Sequence, residues 1–420
     1  MHDRLRTAYI HIGAPKTGST AIQASFSTAK DQLDQVGYHY LEGDRNHSEM
    51  LCLIFWSLPD AKKLGNLRWY DDEAEFLRHR EELRNDLSEE IDRTAPFDLI
   101  ISAEELSGFR EHEVQDFVAF LQARFDRLRV IAYAREPQSW MTSASQQNIK
   151  FSGDTLDAIF QRPRLPNYQR RFKSFIHAVG RENFDLRIFD VANEQFNVVS
   201  DFAKAIGIDD KFESLLDAGR ENLSISHHSA ILLSVANAEM PPFIGYRYNP
   251  FRASGFVDEC RIPGPKFTLP RETVLAVSDT LQEERDWLNE MFSKSAFVKP
   301  ALPETSLDTW YGSEKENLER FAIIFLNNCR RAQNERALAA FLRSMKSRNT
   351  DPELARKELA SAWSLSTDRW SMHIIATEAV EVSHPDRKRI FAKQRIMNRF
   401  EAPKANDPPL AIGNPFDRNP

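Results

Sequence analysis

Along the first half of the chain, short apolar runs alternate with longer segments in which apolar residues recur at helical spacing. The short runs predict buried strands at residues 7–12, 97–102, 128–134 and 184–189, and a shorter extended segment at 36–41. The periodic segments predict helices at residues 19–29, 71–92, 112–124, 137–149, 168–179 and 194–206. Strands that alternate with helices predict an α/β fold, with a mostly parallel sheet flanked by helices.

Beyond about residue 220 the pattern changes, and residues 240–270, which are rich in proline, glycine and aromatic residues, are expected to form a long ordered loop. A helix is predicted at residues 271–292, and Pro300 and Pro303 then mark a boundary. Further helices are predicted at residues 315–345, 354–363 and 370–382. The expected organisation is an α/β domain at residues 1–299, a helical extension at 300–400 and a disordered tail at 401–420.

Composition narrows the class of protein. The chain has 420 residues and a formal net charge of -7, which disfavours nonspecific binding to nucleic acid. Its cysteines, Cys52, Cys260 and Cys329, lie far apart, so neither a disulfide framework nor a zinc site is indicated. No apolar run approaches the ~18 residues of a membrane span. The first strand begins near residue 7, which leaves no room for a signal peptide, so a cytoplasmic protein is expected.

The loop after the first strand is the strongest candidate for chemistry. It comprises Gly13, Ala14, Pro15, Lys16, Thr17, Gly18, Ser19 and Thr20. A strand, a glycine-bounded loop and a helix form a geometry that holds phosphate, because loop N–H groups and the helix N-terminus point at the anion. Lys16 adds a full charge, and the hydroxyl groups add donors. Lys16 precedes Gly18, whereas a Walker A lysine follows the second glycine.

A second candidate site follows the strand at 128–134. Arg135 comes directly after this strand, and Ser143 lies about two turns into the next helix, one turn beyond Ser139. A guanidinium can bind a phosphate with two parallel hydrogen bonds while a neighbouring hydroxyl adds a third donor. Ligands of parallel sheets lie at the carboxyl ends of the strands, so this pair and the Gly13 loop are expected at the same edge.

These two features resemble the 3′-phosphoadenosine 5′-phosphosulfate (PAPS)-dependent sulfotransferase family, of the bacterial carbohydrate type. The order from Pro15 to Thr20 is similar to the family's 5′-phosphosulfate loop, and the spacing from Arg135 to Ser143 is similar to its 3′-phosphate loop. The resemblance covers residues 7–210 clearly, extends weakly to 295 and does not explain 300–420.

The resemblance implies a P-loop-type sheet and transfer of a sulfuryl group from PAPS to a hydroxyl or amine. The acceptor would be a saccharide, glycolipid or small metabolite. Lys16 would stabilise the leaving phosphate, and no metal is expected. In such a transition state, negative charge spreads over the oxygens of the transferred group. Catalysis would therefore depend mainly on positioning of the reactants and on fixed positive charge.

Family members use a glutamate or a histidine as the base that takes the acceptor proton. Glu42 and His47 are nearly equal candidates by their distance from the first helix. Glu104 and Glu105 follow the second strand, where family members carry carboxylates on the acceptor side. Of these two, Glu105 ranks third among the candidates and Glu104 last.

An arginine cluster follows the helix that carries Ser143. It consists of Arg162, Arg164, Arg170 and Arg171 and could contact an anionic acceptor, although a solvated helix face is the commoner origin of such a pattern.

Two other functions stay open. A P-loop kinase of nucleosides or small molecules would share the loop, although the strand at 97–102 ends in Ser102 and not in the aspartate of a Walker B strand. A noncatalytic interaction protein would use the helices after residue 300 to bind a partner. Binding of adenosine 3′,5′-bisphosphate, of ATP with Mg²⁺, or of neither distinguishes the three functions.

Overall fold

A parallel sheet lies at the centre of the computed structural model, which describes residues 5–56, 73–208, 224–310 and 315–365 apart from short gaps at 191, 194, 245–246, 250–251, 253–255, 294–295 and 348–349. The strands are β1 (Thr7–Ile12), β2 (Tyr38–Tyr40), β3 (Asp98–Ala103), β4 (Arg127–Ala134) and β5 (Phe184–Ile188). They pair in the order β2-β3-β1-β4-β5, and every pair is parallel. The predicted α/β fold is confirmed.

Helices connect these strands and cover the sheet. In chain order they are α1 (Ser19–Thr28), α2 (Lys30–Gln35), α3 (Ser48–Phe55), α4 (Glu73–Arg93), α5 (Glu111–Gln122), α6 (Pro137–Gln147), α7 (Leu156–Gln161), α8 (Tyr168–Val179) and α9 (Val198–Ala205). A turn of 3₁₀ helix, Glu105–Gly108, precedes α5, and a π-helical turn, Asn148–Ser152, continues α6.

Further helices follow β5. They are α10 (His227–Glu239), α11 (Phe256–Glu259), α12 (Arg271–Ala276), α13 (Ser278–Phe292), α14 (Leu307–Trp310), α15 (Lys315–Ser347) and α16 (Pro352–Leu365). A short hairpin, β6 (Phe243–Ile244) with β7 (Arg247–Tyr248), lies between α10 and α11. None of the described helices combines the length and the apolar character needed to cross a membrane.

The two faces of the sheet carry different helices. Ile10 and Ile12 of β1 face a core shared with α3, α4, α5, α6 and α8. The opposite face packs against α1, α2 and α9. The chain therefore leaves β1 towards one face and leaves its two neighbours, β3 and β4, towards the other. Such a reversal opens a crevice at the carboxyl ends of the strands, where α/β proteins bind ligands.

The predicted elements differ from the structure in a few places. The helix predicted at 194–206 begins only at Val198, because the Asn197 side chain accepts hydrogen bonds from the first free N–H groups and so caps it. The helix predicted at 271–292 is interrupted at Val277, which separates α12 from α13. The short helix α7 and the helix α10 were not predicted.

The chain divides into two compact units. Unit 1 comprises residues 1–144, 164–223 and 274–302, and unit 2 comprises 145–163, 224–273 and 303–420. The last segment of unit 2 begins at Pro303, and unit 2 also takes in two earlier segments of the chain. The division into an α/β domain at 1–299 and a helical extension at 300–400 stays a prediction. The helix predicted at 370–382 and the tail at 401–420 lie outside the described residues.

Candidate functional site

The loop between β1 and α1 has a tight and specific backbone. The Gly13 N–H donates to the Ala103 carbonyl oxygen at 3.1 Å, which ties the loop to the end of β3. A Cβ at Gly13 would lie 2.5 Å from Ser19 Oγ, so a larger residue would force the Ser19 side chain to move. Gly18 has φ 82°, and a Cβ there would come within 2.8 Å of Phe189 and Val198. The close packing of the loop therefore favours glycine at Gly13, and the backbone conformation also favours it at Gly18.

This loop presents unpaired donors. Among the residues that the structure describes, none accepts a hydrogen bond from the backbone N–H groups of residues 16–20. The Ser19 hydroxyl is buried and likewise has no hydrogen-bond partner in the described part of the chain. The Thr17 hydroxyl, in contrast, donates to the Ala14 carbonyl oxygen at 2.6 Å and holds the turn closed. Free N–H groups at the start of a ten-residue helix form a site suited to an anion.

Arg135 lies at the carboxyl end of β4, next to β1 in the sheet. Its Nε–H donates to Ser139 Oγ at 2.9 Å. The buried Tyr168 hydroxyl binds both backbone polar groups of Arg135, at 2.9 Å each. The two Nη groups have no partner among the described residues, nor has the partly buried Ser143 hydroxyl. The predicted pair is therefore held in place with its outward donors unused.

A partly buried carboxylate fixes the start of α6. Glu136 accepts hydrogen bonds from the N–H groups of Gln138 and Ser139, at 3.1 and 2.7 Å, and so caps the helix. Arg285 of α13 pairs with the same carboxylate at 3.0 Å, and its side chain is only 1% exposed. This ion pair anchors the segment that carries Arg135 to an element far along the chain.

A tryptophan joins the two candidate loops. Trp140 of α6 is completely buried, and its indole N–H donates to the Pro15 carbonyl oxygen. The loop that bears Lys16 and the helix that bears Ser143 are therefore held to each other directly. This hydrogen bond fixes the spacing between the unused donors of Lys16 and those of Arg135.

Glu104 completes the site from the end of β3. A Cβ at Gly13 would lie 3.0 Å from Glu104 Cγ, so the side chain lies against the loop. Burial, reinforced by the neighbouring Glu105, raises the pKa of Glu104 to about 7, although the charge of Lys16 opposes the shift. Burial, with a smaller effect of Arg135, lowers the pKa of Lys16. No described residue forms an ion pair or hydrogen bond with either charged group.

The structure does not support Glu42 or His47 as the base. Glu42 pairs with Lys30 at 2.8 Å, is 54% exposed, and has its pKa lowered chiefly by that hydrogen bond. Both ring nitrogens of His47 are engaged: Nδ1 accepts from the Ser102 N–H at 3.0 Å, and Nε2 donates to the Leu41 carbonyl oxygen at 2.9 Å. Burial lowers the pKa of His47 to about 4. His47 is therefore a structural residue with no free lone pair.

The remaining predicted residues are placed as follows. Ala14 is fully buried, Pro15 accepts the Trp140 hydrogen bond, and Thr20 is partly exposed at the start of α1. Glu105 begins the 3₁₀ turn beside Glu104 and donates its backbone N–H to Ser48 Oγ at 3.1 Å.

Sequence reasoning missed four supporting residues: Glu136, Trp140, Tyr168 and Arg285. The Pro137 that follows Glu136 was a signal for a capped helix start. Nothing in the sequence links Arg285 to Glu136, which lies 149 positions earlier.

Comparison with known proteins does not assign the chain to a family. No protein-family model matches the chain, and no curated protein or solved structure is similar to it at a significant level.

Proposed function

We propose that this protein is a PAPS-dependent sulfotransferase. The observation that carries the proposal is a set of charged groups, none of them in an ion pair with another described residue, at the ends of three adjacent parallel strands: Lys16 after β1, Arg135 after β4 and Glu104 after β3. Charged groups that are partly buried without partners weaken a fold unless a ligand compensates them. An anionic nucleotide with a phosphate at each end matches the two cationic groups.

The donor would bind through both candidate loops. The free N–H groups of residues 16–20, with the Ser19 hydroxyl, would hold the 5′-phosphosulfate. The Arg135 guanidinium and the Ser143 hydroxyl would hold the 3′-phosphate. These donors and Lys16 supply the positive charge that a metal would otherwise supply, so the proposal requires no metal.

Transfer is an in-line substitution at sulfur. A bond forms between the acceptor oxygen and sulfur, while the bond from sulfur to the bridging oxygen breaks and its electron pair stays on the 5′-phosphate. Lys16 would interact more strongly with this developing charge than with the bound donor, which is the condition for accelerating the step.

Glu104 would take the proton that the acceptor hydroxyl loses. A base works best when its pKa lies near the working pH, and the pKa of Glu104 is raised to about 7. Its place on the other side of the Gly13 loop from Arg135 leaves the acceptor to approach between Glu104 and Lys16. The acceptor is proposed to be a hydroxyl-bearing, carbohydrate-like molecule.

The kinase alternative shares the anion-binding loop but not the rest of the site. Lys16 lies before Gly18, and its backbone φ of 67° directs the side chain from within the loop instead of from the first turn of α1. The Arg135–Ser143 pair has no role in binding the triphosphate of ATP. A noncatalytic function leaves the raised pKa of Glu104 without a purpose.

Isothermal titration calorimetry on the full chain tests the donor site. Adenosine 3′,5′-bisphosphate should bind at least about tenfold tighter than adenosine 5′-monophosphate, since charge-assisted hydrogen bonds contribute roughly 1.5–3 kcal/mol each. Arg135→Ala should remove the preference. Arg127 lies at the other end of β4, so the control variant Arg127→Ala should keep it. Tighter binding of ATP with Mg²⁺ would support the kinase instead.

A further inference from the structure

Arg171 of α8 is held rigidly near the end of β3. Its Nε–H donates to the Pro166 carbonyl oxygen at 2.7 Å, and Nη1 donates to Ser107 Oγ at 3.2 Å. The Ser107 hydroxyl in turn donates to the backbone carbonyl oxygen of Glu104 at 2.9 Å. One serine therefore connects the Arg171 guanidinium to the residue proposed as the base.

The guanidinium keeps unused donors. A protonated guanidinium has five N–H donors, and the two hydrogen bonds described above use two of them. Nη2 has no acceptor among the residues that the structure describes, and none of their carboxylates forms an ion pair with Arg171. Three donors of a fixed, planar group are therefore available to a ligand.

The charges around Arg171 also leave room for an anion. Burial, and then the repulsion from Arg164, lower the pKa of Arg171 to about 10, and Arg170 adds to that repulsion. Glu105 attracts the guanidinium from a distance without pairing with it. The attraction of Glu105 does not offset the unfavourable effects of burial and of the neighbouring arginines on the charged guanidinium. An added oxyanion would therefore stabilise this cluster. Arg171 is therefore partly buried and held in place, whereas Arg162 and Arg170 are exposed to solvent.

We propose that Arg171 binds an oxyanion group on the acceptor, so that the substrate is a hydroxyl-bearing molecule that also carries a carboxylate, phosphate or sulfate ester. The proposal rests on the assignment of Glu104 and Lys16 to the transfer site. The free edge of the guanidinium would accept two oxygens of the anion side by side. The acceptor hydroxyl would then be directed towards the Glu104 carboxylate, because Ser107 fixes the separation between the two residues.

Calorimetry with matched sugars tests this proposal. The full chain, saturated with adenosine 3′,5′-bisphosphate, is titrated with glucuronate, glucose 6-phosphate, glucose 6-sulfate and glucose. At least one of the three anions should bind about tenfold or more tightly than glucose, a difference of about 1.4 kcal/mol. The arm with the tightest binding identifies the oxyanion. Equal binding of all four sugars overturns the proposal.

Variants connect the preference to the guanidinium. Arg171→Gln should abolish the preference for the anion, and Arg171→Lys, which keeps the charge but loses the planar fork, should retain part of it. Lys173→Gln removes a charge from an exposed position of the same helix and should leave the preference intact. A preference that survives in Arg171→Gln, or that is equally lost in Lys173→Gln, refutes a specific site at Arg171.

The same titrations separate this proposal from the proposed function. Binding of adenosine 3′,5′-bisphosphate is measured first for each variant and also reports that the variant is folded. If the nucleotide does not bind the unaltered chain, the sulfotransferase assignment fails, and the sugars are then titrated without nucleotide to test Arg171 on its own. If the nucleotide binds and the anions show no preference, only the Arg171 proposal fails.

Discussion

Lys16 has a backbone φ of 67°, a conformation that residues other than glycine rarely adopt. Such strain is kept only where surrounding contacts enforce it, and it concentrates at functional sites. Three hydrogen bonds hold the loop here, and their donors are the Gly13 N–H, the Thr17 hydroxyl and the Trp140 indole N–H. The result is an ammonium group without a partner among the described residues, next to N–H groups that also lack one.

Replacing Lys16 tests its role in the transition state. Lys16→Met should lower turnover by about 10²–10³-fold, the usual effect of removing one preorganised charge-stabilising group. The dissociation constant for adenosine 3′,5′-bisphosphate should rise far less, because the free N–H groups still hold the phosphate. Turnover of PAPS and calorimetry measure the two effects. Lys30→Met, which removes the ion pair with Glu42 and the contact of Lys30 Nζ with the face of the Tyr40 ring, should leave both values unchanged. Equal losses in binding and turnover would make Lys16 an ordinary binding residue.

The charged form of Glu104 should lower the free energy of unfolding of the protein. Its pKa is higher in the folded chain, about 7, than its ordinary value of 4.5, so the folded state binds this proton more tightly. Stability therefore falls as the pH rises from about 4.5 through 7, by at most about 3 kcal/mol. Glu104→Gln should raise the melting temperature at pH 8 and change it little at pH 4, and should greatly reduce turnover.

Chemical denaturation across this pH range, with Glu42→Gln as the matched control, gives the measurement for Glu104. Glu42→Gln should not raise stability at high pH, because the pKa of Glu42 is lowered. A stability profile of Glu104→Gln that runs parallel to that of the unaltered chain would show that the Glu104 pKa is ordinary. Full turnover in Glu104→Gln would rule out Glu104 as the base.

At the scale of elements, the site depends on which strands are neighbours. The order β2-β3-β1-β4-β5 brings the ends of β3 and β4 to either side of β1. The chain leaves β1 to one face and β3 and β4 to the other, and the charged residues follow these three strand ends. Two contacts then stabilise the arrangement: Trp140 with Pro15, and Arg285 with Glu136.

Trp140→Phe keeps most of the buried ring and removes the hydrogen bond to Pro15. A neutral hydrogen bond contributes about 0.5–1.5 kcal/mol, and a buried carbonyl left without its donor adds to the loss. We expect severalfold weaker binding of adenosine 3′,5′-bisphosphate by calorimetry, because the two loops lose their fixed spacing. Thr142→Val on the same helix removes only a hydrogen bond within α6 and should not affect this binding. Unchanged binding in Trp140→Phe would show that the loops are positioned independently.

Arg285→Met leaves the partly buried Glu136 carboxylate beside an uncharged side chain. Breaking a buried ion pair by removing one partner typically costs about 3–5 kcal/mol. Because Glu136 also caps α6, nucleotide binding should weaken along with stability. The double variant Arg285→Met with Glu136→Gln should recover part of the stability. Denaturant unfolding of both variants gives the comparison, and full stability in the single variant would contradict the anchoring role.

The sequence predicted the elements well, and it indicated the two candidate loops, because these features are local. Periodicity locates β1, β4 and α8, and the glycine loop is read within eight residues. The candidates for the base were ranked by their offset along the chain, which does not show which side chain the sheet order brings to Lys16. His47 has a suitable residue type, but the fold buries it between Leu41 and Ser102. Contacts between distant segments, such as Arg285 with Glu136, leave no local signal.

At the scale of the whole molecule, the candidate site belongs to one unit. Lys16, Glu104, Arg135, Ser143 and Arg171 all lie in unit 1, although unit 2 begins with the last residues of α6. Unit 2 has its own core around Trp310, which is 1% exposed. The Trp310 ring lies 3.7 Å from that of His227 and 5.0 Å from that of Phe160, measured between ring centroids.

Trp310→Ala tests whether the two units can be affected separately. Loss of a buried tryptophan typically costs about 3–5 kcal/mol, and here the Trp310 N–H bond to the Thr268 carbonyl oxygen, at 2.8 Å, is lost as well. Calorimetric unfolding should show unit 2 melting earlier, while binding of adenosine 3′,5′-bisphosphate at a temperature below that transition is unchanged. Loss of nucleotide binding in the folded variant would show that the donor site depends on unit 2.

The most direct test of the central claim is transfer of radiolabelled sulfuryl from PAPS by the full chain. Each of the four sugars used for Arg171 is offered as acceptor, and both labelled product and adenosine 3′,5′-bisphosphate are measured. We predict that the two products form in equal amounts, and that Lys16→Met and Glu104→Gln each abolish most of their formation. No labelled product and no cleavage of PAPS with any of these acceptors, from protein that binds adenosine 3′,5′-bisphosphate, would contradict a transferase and favour a protein that only binds the nucleotide.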